Sequence, residues 1–163
     1  DWLHLLINEY PEANITLYGV SMGASAVLNL AGSDLPKQVD TVIADSGFTS
    51  VAEIFETQLN DTLHLPSFPI MNAANSVSKL RINLDFYQAS TVALVPNIKI
   101  PIFYIHGELD NFVPVSNVHA LAKATSSPHH VWVVENANHG EAVKVQPDEY
   151  RKRLHEFIQN ERD

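Results

Sequence analysis

Gly19-Val20-Ser21-Met22-Gly23 is the stretch around which the chain is organised. Ahead of it runs Asn14-Ile15-Thr16-Leu17-Tyr18, short and β-rich, which reads as a buried strand. Behind it runs Ala24-Ser25-Ala26-Val27-Leu28-Asn29-Leu30-Ala31, with the small and apolar residues of a packed helix. A G-x-S-x-G between a strand and a helix is a nucleophile elbow. Its turn is so sharp that small residues must flank the serine, and the strained backbone pushes the hydroxyl out at the top of a sheet. Ser21 then opens a helix, where orphan N–H groups and the dipole favour a developing anion, and the Met22 amide becomes one oxyanion-hole donor. The blander reading is a Gly-rich turn with a surface serine. The strand before, the helix after and the partners downstream weigh against it.

The bulk of the chain narrows the classes. Its 163 residues suit one domain with a sizeable core, and 45% hydrophobic against 18% charged residues is a globular balance. A net charge of −9, with acidic residues scattered rather than in runs, argues against nucleic acid or an anionic membrane as partner. There is no cysteine, hence no disulfide, thiolate metal site or cysteine nucleophile.

Taken in order, Trp2, Leu3, Leu6, Ile7 and Tyr10 share a helical face that Pro11 ends. After the elbow unit, Val39-Asp40-Thr41-Val42-Ile43-Ala44-Asp45 reads as a strand buried on both faces, and Ser50 as the N-cap of a helix over 51–60. Residues 61–97 interrupt the alternation with Pro66, Pro69 and Pro96 among recurring apolar residues, and read as one or two short helices forming a small lid. A third strand over 100–105, a helix over 115–125, a fourth strand over 130–134 and a last helix over 146–160 follow. In that last helix Tyr150, Leu154, Phe157 and Ile158 face inward. The expected fold class is α/β, a parallel sheet of about four strands flanked by helices, with ligands at the carboxyl ends of the strands.

Three loops at those ends carry Ser21, Asp110 and His139. Serine needs a base to become a nucleophile at neutral pH, histidine titrates in the right range, and the base needs a carboxylate to fix its tautomer. Of eight histidines, His139 alone stands in a Gly- and Asn-containing loop directly after an apolar strand. His129 and His130 precede that strand, and His106 reads as a structural residue shaping the Asp110 loop. Asp45 competes with Asp110 for the role of acid, but reads better as a brace for the elbow or lid. His129-His130 and His139-x-Glu141 lack metal-site spacing, so neither metal nor cofactor is expected.

G-V-S-M-G, A-D-S-G-F-T-S, I-H-G-E-L-D-N-F-V-P and N-A-N-H-G-E-A together resemble the α/β-hydrolase superfamily. More narrowly they resemble bacterial hydrolases described as cell-surface or serine-aminopeptidase-like. The resemblance spans essentially the whole chain. It implies a serine hydrolase of esters, thioesters or amides with Ser21 as nucleophile, Asp110 as acid, His139 as base and Met22 at the oxyanion hole. Phe48, Leu65, Phe68 and Phe112 are the expected apolar acyl pocket, and a small acyl compound or peptide the expected substrate. Family members run about four strands ahead of the elbow strand, where a loop supplies a second oxyanion amide. The chain therefore resembles the C-terminal half of the domain, with the edge at residues 14–18 expected to be covered by a second copy, a missing N-terminal half or a partner chain. That comparison leaves a second reading open, a non-catalytic scaffold of the same fold. The compartment stays open too: cytoplasm, or a membrane reached through an N-terminal segment outside these residues.

Overall fold

A computed structural model describes residues 2–162. Its centre is a four-stranded sheet in the order β1 (Ile15–Val20), β2 (Val39–Asp45), β3 (Ile102–Gly107), β4 (His129–Val134). All three pairings are parallel, with Val20 opposite Asp45, Asp45 opposite Ile105 and Gly107 opposite Val134, so the strand ends line up along one edge.

The period of two along the central strands divides the core. Val42, Ala44, Ile102 and Tyr104 point to one face, where α2 (Met22–Ala31) lays down Ala24, Leu28 and Ala31 and α6 (Ser116–Ala124) lays down Val118 and Leu121. Ile43, Phe103 and Ile105 point to the other face, with Trp132 and Val134, under Tyr150 and Phe157 of α8 (Pro147–Asn160). Burial on both faces is why β2 and β3 read as nearly unbroken apolar runs. Buried Tyr104 donates or accepts across 2.8 Å with Thr125 Oγ1, and burial pushes its phenol up to about 12.

The first helix, α1 (Trp2–Glu9), buries none of its residues, and Trp2 is 88% exposed. β1 is hydrogen-bonded within the sheet on one side, and Tyr18 and Val20 near its end are exposed. Two segments differ from the sequence expectation. The helix after Ser50 stops at Thr57 as α3 (Val51–Thr57) and continues as one π-helical turn over Gln58–Thr62. Ser50 does cap it, its hydroxyl accepting the Glu53 amide at 3.1 Å.

The inserted region holds a longer helix, α4 (Ser67–Ile82), interrupted near its start by an extended backbone at Phe68 and helical beyond it, rather than only short ones. It ends where Asn83 takes the left-handed conformation that stops helices, with Lys79 and Arg81 in the last turn. The brief helices α5 (Thr91–Leu94) and α7 (Ala142–Val145) complete the order. Among the described residues no helix is long and apolar enough to cross a membrane.

Candidate active site

Ser21 turns the chain from β1 into α2 with φ 57° and ψ −119°, a conformation costing a non-glycine residue about 1–3 kcal/mol. Close packing holds it there. A Cβ on Gly19 would come within 2.2 Å of the Gly23 carbonyl oxygen, so only glycine permits the bend, while a Cβ on Gly23 would meet nothing within 4 Å. The Ser21 N–H donates to the Asp45 carbonyl at 2.8 Å. Its hydroxyl does not cap α2, as a serine at that position ordinarily would. It lies instead 2.7 Å from His139 Nε2.

His139 reaches that point on the loop after β4, and its Nδ1 donates to Asp110 Oδ2 at 2.8 Å. A carboxylate can only accept, so Nδ1 carries the hydrogen and Nε2 is left to take one from serine. Asp110 is itself fixed: its Oδ1 accepts the Phe112 amide at 3.0 Å and the Val113 amide at 2.8 Å. Burial works against charge on Asp110, but the nearby His106 imidazole, the His139 hydrogen bond and the Val113 amide outweigh it, holding the carboxyl below the ordinary carboxylate range. His106, fully buried, donates Nε2–H to the Val113 carbonyl at 2.8 Å and stands 3.4 Å from Asp110 Oδ2. It shapes the acid loop rather than meeting Ser21.

Gly107 lets the two loops meet. A Cβ there would stand 2.4 Å from the Ala137 carbonyl oxygen, which instead accepts the Leu109 amide at 2.9 Å. Asp45 stays out of this series and bonds Ser46 Oγ at 2.9 Å and the Tyr150 hydroxyl at 2.8 Å. Burial raises its carboxyl, against the pull of those two hydroxyls.

A cavity of about 590 Å³ opens beside Ser21 and Met22. Phe48, Val51, Ile54, Phe55, Leu63, Leu84, Phe86 and Phe112 line it, with Gln58 and Thr62 as its other polar side chains and no charged one. Of the four residues expected to form an acyl pocket, Phe48 and Phe112 line this cavity, and the Phe112 ring sits 5.0 Å from the His139 ring. Leu65 and Phe68 lie elsewhere. Neither lines the cavity, and Phe68, where the backbone is extended at the start of α4, is 75% exposed. Much of the apolar wall comes from α3, with Val51, Ile54 and Phe55, and the rest includes Leu63 just past the π-helical turn and Leu84 and Phe86 after α4, which carry no periodic signal that would have singled them out. Among the described residues no group of three or more His, Asp or Glu forms a metal-binding cluster.

The arrangement can draw a proton from Ser21 onto an imidazole backed by a carboxylate, beside an uncharged apolar cavity. Comparison with known proteins agrees in class. The model of the prolyl oligopeptidase family matches residues 4–162. The uncharacterized protein YqkD of Bacillus subtilis is 31% identical over 149 residues, covering 91% of this chain and 49% of that protein. The esterase Pf2001 of Pyrococcus furiosus superposes with a TM-score of 0.74 at 23% identity, covering 99% of this chain and 59% of the esterase. An acylaminoacyl peptidase of Pyrococcus horikoshii superposes with a TM-score of 0.68 at 15% identity, covering 96% of this chain and 25% of that one. The chain thus spans about half the length of the curated relative it matches. Its sheet is the α/β-hydrolase fold.

Proposed function

Because the chain belongs to the prolyl oligopeptidase family, we propose that it is the acyl-transfer part of a serine hydrolase, with Ser21, His139 and Asp110 as its triad. The observation that carries this reading is the unbroken series from Ser21 Oγ to His139 at 2.7 Å and from His139 to Asp110 at 2.8 Å. A scaffold that had given up catalysis would have no reason to keep three loops in that alignment.

Ser21 Oγ attacks the acyl carbonyl while His139 Nε2 takes its proton. The Asp110 carboxylate holds Nδ1–H and stabilises the imidazolium as charge develops. The oxyanion forms at the first turn of α2, where the Met22 amide is the donor this chain supplies. Nε2 then hands the proton to the departing alkoxide, thiolate or amine, leaving an ester on Ser21. Water, activated by the same imidazole, attacks that ester and restores the hydroxyl. The uncharged cavity suits an apolar acyl group or side chain. Esters, thioesters and amides all meet this description.

The test is a fluorophosphonate probe on the full-length protein, followed by peptide mapping. The expected outcome is a single adduct on Ser21 that disappears in Ser21→Ala. An adduct that persists in that variant sinks the assignment.

A further inference from the structure

Hydrolysis as proposed uses Asp110 on one side of His139. On the other side, the loop that carries His139 is held by polar groups with no part in the chemistry. Ser46 follows β2 fully buried, with φ 56°. Its Oγ accepts the amide of Gly140, the residue after His139, at 3.2 Å. An amide can only donate, so the single Ser46 hydrogen is free to go to Asp45 Oδ1, 2.9 Å away. Asp45 Oδ2 accepts the Tyr150 hydroxyl at 2.8 Å, and the Tyr150 oxygen lies 3.0 Å from the Tyr18 hydroxyl. Asp45 thus receives two hydroxyl donors while its main-chain carbonyl receives the Ser21 amide.

One residue at the end of β2 therefore ties down both the elbow and the loop after His139. The Ser46 and Tyr150 hydroxyls are bonded to a buried polar side chain rather than left to water. Their orientation toward a single buried carboxylate gives them a geometric purpose. We propose, on the reading of Ser21 as nucleophile and His139 as base, that Ser46 and Tyr150 are positioning residues. Through the Asp45 carboxylate they set the His139 loop against the Ser21 elbow. The groups facing Asp45 are Ser46 on its own strand end, Tyr150 on α8, and the His106 and His139 imidazoles. Burial raises the Asp45 carboxyl, and the Tyr150 and Ser46 hydroxyls pull in the opposite direction.

The test uses Ser46→Gly, which suits the left-handed backbone while deleting the hydroxyl, and Tyr150→Phe, which keeps the ring. Each is expected to lower kcat for a p-nitrophenyl ester about tenfold, the scale of a base displaced by less than an ångström. KM should stay within about twofold, because neither residue lines the apolar cavity. The low-field proton of His139 Nδ1–H should shift or broaden in both variants. Since both act through one carboxylate, the double variant should lose little more than either alone. Losses that simply add, or a rise in KM with kcat intact, overturn the proposal. Variants that react with a fluorophosphonate at the wild-type rate overturn it as well, with hydrolysis by Ser21 left standing. Wild-type protein that never labels at Ser21 overturns the reading beneath it instead.

Discussion

The loops after β3 and β4 and the elbow after β1 meet at one point but are built differently. On the β3–β4 side, Glu108 and Leu109 donate to Val134 and Ala137, Asp110 is caught by two amides and an imidazole, and Gly107 sits where a methyl group cannot. On the β1 side, among the described residues, the strand has one partner, Tyr18 and Val20 are exposed, Gly23 faces open space and no residue of α1 is fully buried. Asp110 and His139 are held by a closed network, whereas Ser21 is held by its own strained turn, a main-chain bond to Asp45 and the first bond of α2. Changes on the first side should therefore propagate to catalysis, and changes on the second should propagate only where they touch the turn.

The sharpest break is Asp110→Asn. Loss of the acceptor for His139 Nδ1–H should lower kcat about 10⁴-fold, with KM little changed, in steady-state hydrolysis of an activated ester. Thermal unfolding against pH gives the same residue a second signature. The Asp110 pKa is depressed in the folded state below 3.8, so its contribution to stability is fully present above that value. It is lost as pH falls through the folded value. The wild-type advantage over Asp110→Asn should accordingly shrink on acidification below about pH 4 and stay flat above it. An advantage that grows on acidification contradicts the reading of Asp110 as a carboxylate stabilised by the hydrogen bonds of this loop.

The glycines give the next contrast. Gly107→Ala should displace the His139 loop, costing about 1–3 kcal/mol of stability and on the order of 10² in kcat. Gly23→Ala lies in α2 without positive φ and with free space around it, so in this chain it should be neutral or stabilising by about 0.4–1 kcal/mol. Destabilisation there would mean that polypeptide outside these residues presses on the elbow. Least of all, Trp2→Ser on the exposed face of α1 should move stability by no more than about 0.5 kcal/mol in denaturant titration.

Several parts of this asymmetry could be read from residues alone. The β2 and β3 runs announce themselves as strands covered on both faces, and Ser50 announces the start of α3. Ser21, Asp110 and His139 are legible because each follows an apolar run and falls in a loop that turns at a strand's end. The inserted region was harder. Its apolar residues recur without a clean helical period, so Phe68 looked like a pocket residue although it is exposed, and Leu63, Leu84 and Phe86 were not singled out as pocket residues. Ser46 was visible only as part of a turn, and Tyr150 only as an inward-facing helical residue. Nothing local links positions 105 residues apart in the chain, as Asp45 and Tyr150 are.

Local chemistry was enough to determine the parallel α/β architecture, the sharp turn at Ser21 and the loops at strand ends that carry Ser21, Asp110 and His139, since each rests on short-range rules of periodicity, turn geometry and side-chain type. The tertiary structure decided the rest: which wall encloses the cavity, that His106 serves the acid loop, and that Asp45 answers to Ser46 and Tyr150 rather than to His139. Those outcomes depend on where strand ends and helix faces come to lie within a few ångströms of one another. Hydrogen bonds and packing are short-ranged in space but indifferent to distance along the chain.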